Sequence, residues 1–145
     1  MEYMHAMETT VGDVVVDLDV DGSPELCRNV LKLSMARYYT SSLVYNVQPS
    51  RFCQVGDPRG DGWGGPGYTI RCEYNPLRYE AGVMGMALAG KDTGGSQFFV
   101  TLSPQPHLNG RYTIFGRVSQ GMNVVDFVIA IRANHQYMRQ AGIRQ

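Results

Sequence analysis

The sequence predicts a mostly β protein, either a barrel or a sandwich, with two helices. Short apolar runs recur along the chain, and turns that contain Gly or Pro separate them. Only two segments carry the spacing of an amphipathic helix. At 145 residues the chain is most simply one domain over residues 1–145, long enough to bury a core.

The first predicted element is a hairpin that follows a short lead-in. Residues 1–7 are expected to be a poorly ordered lead-in. Over residues 8–20, Val14, Val16 and Leu18 alternate with more polar positions, which is typical of a half-buried strand. We therefore predict a hairpin of half-buried strands in this segment.

A helix is predicted next, and its start has three signals. Ser23 is a good N-cap, Pro24 suits the first helical position, and Glu25 favours the positive end of the helix dipole. Apolar residues then repeat at helical spacing as far as Ala36. The sequence therefore predicts an amphipathic helix over residues 24–36.

The rest of the chain is predicted as short strands and a second helix. Further strands are expected over residues 43–47, 52–55, 68–72, 84–87, 98–102 and 112–118. Asn109 and Gly110 favour a type I′ turn. The second helix follows Gly121, with an apolar face formed by Val124, Val125, Phe127, Val128 and Ile131. Residues from about 134 to 145 are expected to be a polar extension.

Composition excludes several classes of protein. The formal net charge is +0 and the pI is about 6.8, which argues against broad binding to nucleic acid or anionic membrane. No apolar run approaches the roughly 20 residues of a membrane helix. The first residues lack the layout of a secretory signal, so we expect a cytoplasmic protein, or a nuclear one in a eukaryote.

The cysteines and histidines give no sign of a metal site or a nucleophile. Cys27, Cys53 and Cys72 are odd in number and lack CxxC spacing, so we expect free, buried thiols. The histidines form no metal-binding motif, and we expect neither a metal nor a cofactor. A hydrolase is disfavoured because there is no Gly-x-Ser-x-Gly elbow and no histidine close to a cysteine in sequence.

One long segment carries a family resemblance. The stretch GMALAGKDTGGSQFFVTLSPQPHLNGRYTIFGRV, from Gly85 to Val118, resembles the signature region of the cyclophilin-type peptidyl-prolyl cis/trans isomerases. The resemblance extends from about Glu8 to Ile131. It implies a closed eight-stranded antiparallel β-barrel capped by two helices. It also implies isomerisation of X-Pro bonds in peptides and proteins, in aid of protein folding.

The resemblance assigns a substrate groove residue by residue. Phe99, Phe52 and Leu108 match the walls of the pocket that takes the proline ring. Gln54 matches the glutamine that touches the substrate backbone. Four further positions match substrate-binding residues of the family, with the main chain of the first two pairing with the peptide: Ala87, Leu88, Gln97 and Tyr112.

Three positions depart from the usual family pattern. Asn46 occupies the place of the catalytic arginine, in the triplet Val44-Tyr45-Asn46. His107, which we count among the substrate-binding residues, stands where cyclosporin-sensitive members have tryptophan, and Tyr112 replaces the pocket histidine. We count Asn46, Gln54 and Phe99 as the catalytic residues, and expect reduced activity because Asn presents a neutral donor where Arg presents charged ones. We also expect weak or no cyclosporin binding.

Four further expectations complete the sequence-based hypothesis. A monomer that binds proline-containing peptides is expected, and a peptide-binding module with little or no isomerase activity is the alternative function. Arg51 is a poor substitute for the missing arginine, because an extended chain directs it to the face opposite Asn46. Trp63, in a glycine-rich loop, is expected to anchor that loop by packing.

Overall fold

The fold is seen in a computed structural model that describes residues 2–9, 12–40, 44–59, 63–89 and 92–130. This part of the chain contains the helices α1 (Pro24–Met35) and α2 (residues 122–130). Its strands are β1 (Glu2–Thr9), β2 (Gly12–Asp19), β3 (Asn46–Gln48), β4 (Phe52–Val55), β5 (Val83–Met86), β6 (Phe98–Thr101) and β7 (Ile114–Gln120). The prediction of a mostly β fold with two helices is confirmed.

All seven described strands belong to one antiparallel sheet with the order β1-β2-β7-β5-β6-β4-β3. The central strands β5 and β6 are short and buried along their whole length. Among the described residues no pairing joins β1 to β3. The closed eight-stranded barrel therefore stays a prediction.

The first hairpin is longer than expected. In place of a lead-in, residues 2–7 lie in β1, which pairs with β2 from Glu2 opposite Asp19 to Thr9 opposite Gly12. The predicted alternation in β2 is confirmed, because Val14, Val16 and Leu18 are buried while their neighbours are less so. The predicted extension from about residue 134 lies outside the described residues.

Helix α1 begins at Pro24 as predicted, but its N-terminal cap is a distant residue. The Ser23 hydroxyl donates to the backbone oxygen of Asp19 at 3.1 Å and does not cap the helix. The carboxylate of Glu73 instead accepts hydrogen bonds from two backbone N–H groups of the first turn, at 2.9 and 3.0 Å. A carboxylate at this end also interacts favourably with the helix dipole.

The main core lies between the inner face of the sheet and the helices. Burial of apolar surface there is the dominant stabilising term of the fold. Its buried residues are Val14, Val16, Leu18, Leu26, Cys27, Val30, Val47, Cys53, Met84, Met86, Phe98, Val100, Phe115, Val125 and Ile129. In α2, Phe127 is 55% exposed although its spacing predicts the apolar face, and Ile129 takes the buried position. Ile131 lies outside the described residues.

Two local predictions are wrong. Over residues 68–72 only Ile70 pairs, in a single bridge with Gly94, because the Cys72 N–H donates to a side-chain oxygen of Asp92 at 2.8 Å. At Asn109 φ is −57° and ψ is 129°, and Gly110 has φ of 72°, which gives a type II turn and not type I′. No helix in the described part of the chain is long and apolar enough to cross a membrane.

Candidate functional site

Strand β6 places two adjacent phenylalanines on opposite faces of the sheet. Side chains alternate along a strand, so Phe98 and Phe99 point in opposite directions. Phe98 belongs to the main core. Phe99 belongs to a second, separate cluster. The outer face of the sheet therefore carries its own apolar surface.

This second cluster, here called the outer cluster, is aromatic. Its members are Tyr79, Val83, Phe99 and Ile114, with Phe52, Ala87, Leu108 and Tyr112 packed against them. The ring of Phe99 stacks on Tyr79 at 5.5 Å between centroids and meets Phe52 and Tyr112 edge-on at 6.0 and 5.8 Å. Three of the partners, Phe52, Leu108 and Tyr112, are only partly buried. The cluster thus presents apolar surface that a ligand can reach.

Tyr79 holds the floor of the outer cluster in place. Its N–H donates to the side chain of Asn109 at 2.7 Å, and its hydroxyl donates to the backbone oxygen of Tyr112 at 2.9 Å. Its own backbone oxygen accepts from the N–H of Gln105 at 2.8 Å. Burial, and to a lesser extent the nearby Tyr112, raise the pKa of Tyr79 well above its usual value, so the hydroxyl stays a neutral donor.

A missing side chain at Gly85 makes room for these rings. A Cβ atom there would lie 2.5 Å from Cζ of Phe99 and 2.9 Å from Cε1 of Tyr79, and closer still to the Tyr79 hydroxyl. Gly85 is buried in β5 and pairs with Phe99 of β6. The two aromatic rings can therefore lie directly over the backbone of the sheet.

Beside the outer cluster lies a cleft of about 760 Å³. It is bounded by β3 and β4 on one side and by residues 63–69, 87–89, 93 and 95–97 on the others. Its lining residues are Tyr45, Asn46, Gln54, Trp63, Gly64, Gly65, Pro66, Gly67, Tyr68, Thr69, Ala87, Leu88, Ala89, Thr93, Gly95, Ser96 and Gln97. The cleft and the outer cluster share Ala87 and therefore adjoin each other; together they are here called the groove.

Carboxamide side chains line the side of the cleft next to the outer cluster. Asn46 pairs with Gln54 across β3 and β4, and its Nδ2 donates to Oε1 of Gln54. Gln48 donates to Oδ1 of Asn46 at 3.2 Å. Because Oε1 of Gln54 accepts from Asn46, the two N–H donors of the Gln54 amide are left for a ligand.

The side-chain amide of Gln97 fixes the far wall of the cleft. The hydroxyl of Tyr45 donates to Oε1 of Gln97, and Nε2 of Gln97 donates to the backbone oxygen of Gly64 at 2.7 Å. Gln97 therefore connects Tyr45, the residue just before β3, to the glycine-rich loop, which fixes the width of the cleft.

Residues from α1 and the turn after it hold the loops beneath the cleft. Asn29 donates to the backbone oxygen of Gly95 at 2.7 Å and accepts from the hydroxyl of Tyr68. Tyr39 donates to the backbone oxygen of Ser96 at 2.9 Å. Asn29 and Ser96 are buried, so these bonds are partly shielded from water and help to keep the loops in one arrangement.

The structure brings together nine of the ten residues that the sequence assigned to a groove. Lining the cleft are Asn46, Gln54, Ala87, Leu88 and Gln97, while Phe52, Phe99, Leu108 and Tyr112 belong to the outer cluster. The tenth, His107, is exposed in the 3₁₀ turn Pro106–Leu108 and is outside both sets.

Three features of the groove differ from expectation or were missed. Trp63 does not pack into its loop: it is 84% exposed on the wall of the cleft. Tyr79 was missed because it lies in an irregular segment without periodicity. Arg51 does not point away, since its Cζ lies 5.7 Å from the ring centroid of Phe52. Ser50, with φ of 65°, turns the chain just before Arg51, so strict alternation does not apply there.

Comparison with known proteins identifies the family. The profile described as cyclophilin type peptidyl-prolyl cis-trans isomerase/CLD matches residues 4–143. The chain is 48% identical over 108 residues to peptidyl-prolyl cis-trans isomerase B of Bacillus subtilis, which covers 73% of this chain and 76% of that protein. It is 44% identical over 124 residues to peptidyl-prolyl cis-trans isomerase CYP18-2 of Arabidopsis thaliana, covering 82% and 76%.

Solved structures agree with this match. A crystal structure of a cyclophilin type peptidyl-prolyl cis-trans isomerase from Cryptosporidium parvum superposes with a TM-score of 0.83 at 34% identity, covering 88% of this chain and 85% of that one. A second structure of that protein, in the presence of the dipeptide ala-pro, gives a TM-score of 0.84 with the same identity and coverage. The chain therefore belongs to the cyclophilin type peptidyl-prolyl cis-trans isomerase family.

Proposed function

We propose that the protein is a peptidyl-prolyl cis/trans isomerase that binds the proline ring on the outer cluster and turns the X-Pro bond beside the amides of the cleft. The observation that carries this proposal is that partly exposed aromatic surface adjoins the amides of Asn46 and Gln54, since Gln54 pairs with Phe99 across β4 and β6. An apolar pocket suits a proline ring, and the amides suit the polar peptide link next to it. The substrates are X-Pro bonds of peptides and of protein chains.

The chemistry requires no nucleophile and no metal. The peptide bond resists rotation by about 18–20 kcal/mol because its nitrogen is conjugated with the carbonyl. Rotation ends this conjugation, so donors aimed at the twisting carbonyl or at the nitrogen stabilise the transition state more than the ground state. The free N–H groups of Gln54 and the remaining N–H of Asn46 supply such donors.

The reaction is expected to be slow for this family because these donors are neutral. Charge-assisted hydrogen bonds are about twice as strong as neutral ones. Losing one donor to a developing charge costs roughly 2–4 kcal/mol, or about 10²–10³ in rate. Since Asn46 returns part of that stabilisation, we expect measurable activity well below that of a site with an arginine at this position.

The decisive experiment is exchange NMR on an Ala-Pro peptide with the native protein and the Asn46→Arg variant. We expect the native protein to accelerate exchange and the variant to be about 10- to 100-fold faster, a fraction of the effect of one charged donor. Asn123→Arg makes the same exchange at an exposed position in α2 and controls for the added charge. If Asn46→Arg gains nothing over this control, position 46 is not the catalytic position.

The second candidate is a module that binds proline peptides with little or no catalysis, and Asn46 at that position is the observation that favours it. Titration of the same peptide beside the exchange measurement separates the two functions. Binding without acceleration by the native protein supports the module. No binding and no acceleration rejects both.

Finer features of the family are proposed on the same basis. We propose a single domain whose sheet closes into the eight-stranded barrel, and the match over residues 4–143 supports this. A role in protein folding, a cytoplasmic location, a monomeric state and the absence of nucleic-acid partners stay predictions from the sequence. Weak cyclosporin binding follows from His107 and Asn46 together, and calorimetry that gave nanomolar affinity would overturn it.

A further inference from the structure

Several exposed basic residues flank the outer cluster in the chain. Four exposed residues, here called the basic rim, are immediate chain neighbours of outer-cluster residues: Arg51, Arg78, His107 and Arg111. Among the chain neighbours of the cluster, Glu80 is the one acidic residue. At pH 7 the rim therefore has a net positive charge although the whole chain has a formal net charge of +0.

Arg51 is the rim residue with the best-defined position. Its Cζ lies 5.7 Å from the ring centroid of Phe52, a distance at which a guanidinium is attracted to an aromatic face. Phe52 in turn meets Phe99 at 6.0 Å between centroids. The guanidinium is thus held against the wall of the pocket while its N–H donors stay accessible to a ligand.

Hydrogen bonds gather the segments of the rim around one pocket. The backbone oxygen of Arg51 accepts from the N–H of Leu102 at 2.8 Å, and Tyr79, next to Arg78, is bonded to both Gln105 and Asn109. The three arginines of the rim form no ion pair with an acidic side chain in the part of the chain that the structure describes. Seven of the 13 acidic residues lie within the first 25 residues, away in sequence from the rim.

The rim also has a defined place along a bound peptide. If the proposed function is right, the carbonyl of the residue before proline must face Asn46 and Gln54, because the rotating bond joins that carbonyl to the proline nitrogen. The chain before proline then lies in the cleft. The chain after proline leaves the pocket on the other side, toward Arg51, which precedes Phe52 at the end of β4 away from Gln54.

We propose that the basic rim makes the site select X-Pro segments in which the residue after proline carries a carboxylate. This specificity rests on the proposed isomerase function. Opposite charges near an exposed surface attract each other modestly and are screened by salt. Several arginines around one carboxylate add their effects, so we expect about a three- to tenfold preference in kcat/KM for Glu over Gln after proline at low ionic strength.

The test compares four peptides of equal length, Ala-Ala-Pro-Glu, Ala-Ala-Pro-Gln, Ala-Ala-Pro-Lys and Ala-Glu-Pro-Gln, each with blocked ends, by exchange NMR. The native protein should prefer Pro-Glu over Pro-Gln, disfavour Pro-Lys, and show little gain when Glu precedes proline. The preference should fall at least twofold in Arg51→Gln, vanish in Arg51→Gln/Arg111→Gln, and reverse toward Pro-Lys in Arg51→Glu. High salt should reduce the preference of the native protein.

Arg28→Gln is the matched control, because it removes one exposed positive charge on α1, where Arg28 pairs with Glu25. It should leave the preference unchanged. Equal rates for Pro-Glu and Pro-Gln, or a preference that survives the double variant, would overturn the proposal while leaving the isomerase function intact. If no peptide is isomerised, the proposed function fails, and titration of the same peptides still decides whether the rim prefers Pro-Glu.

Discussion

Gly85→Ala is expected to damage the groove by filling the space over which its aromatic floor lies. Gly85 has no positive φ, so alanine fits its backbone and the effect arises from space alone. The added methyl would lie 2.5 Å from Cζ of Phe99 and nearer to the hydroxyl of Tyr79. The ring of Tyr79 does not move freely, because its backbone N–H, its backbone oxygen and its side-chain hydroxyl are all hydrogen-bonded.

The magnitude follows from two effects. Overpacking of a well-packed site costs about 1–3 kcal/mol. If the Tyr79 hydroxyl is displaced, the backbone oxygen of Tyr112 loses its partner, which costs about another 1–3 kcal/mol. We expect the free energy of unfolding to fall by roughly 2–5 kcal/mol, and kcat/KM to fall at least about tenfold because the ring of Phe99 shifts.

Urea denaturation and exchange NMR on a proline peptide measure the two effects. Gly65→Ala is the stability control, since a Cβ atom there meets nothing within 4 Å. The double variant Gly85→Ala/Tyr79→Phe removes the atom nearest to the new methyl and should recover part of the stability. A stability loss in Gly85→Ala below about 0.5 kcal/mol, with kcat/KM within about twofold of native, would refute this account of the groove floor.

Two further predictions concern stability. Glu73→Ala should lower the free energy of unfolding by about 1–2 kcal/mol, because two N–H groups at the start of α1 lose their cap. Glu73→Gln should retain part of the stability that the cap provides. Equal urea midpoints for the native protein and both variants would contradict this prediction. Burial raises the pKa of Cys27 and of Cys53 from 9.0 to about 11. Because the thiols ionise at lower pH in the unfolded chain, the free energy of unfolding should fall between pH 9 and 11 by about 2–3 kcal/mol per thiol. A free energy of unfolding that does not change with pH in reducing buffer would count against this prediction. So would a pH dependence in Cys53→Ala that is as steep as in the native protein.

Local sequence patterns predict the elements that local physics determines. The alternation of Val14, Val16 and Leu18 gives the correct inner face of β2, since a strand buried on one face repeats every two residues. The start of α1 is correct because Pro24 is tolerated only near a helix start. Its cap is not predictable in this way, because Glu73 lies 48 residues from Glu25 in the chain.

The residues of the groove also fall into some that the sequence predicts and others that only tertiary packing reveals. The resemblance places Phe99, Gln54 and Leu108 on it because a family motif fixes their positions. Tyr79 belongs to a segment with no periodicity, and only tertiary packing reveals that it stacks on Phe99. For Arg51 the rule of alternating faces gives the wrong side, because the chain turns at Ser50.

Because Phe98 and Phe99 point in opposite directions, one strand contributes to the folded core on one face and to peptide recognition on the other. A substitution beside Phe98 changes the packing of the main core, whereas one at a partly exposed neighbour of Phe99 changes the surface that a peptide meets. Substitutions at outward-facing positions can therefore change peptide preference during evolution while the residues of the main core stay the same. Libraries that randomise only the partly exposed positions around Phe99, namely Phe52, Leu108 and Tyr112, should retain a high proportion of folded members.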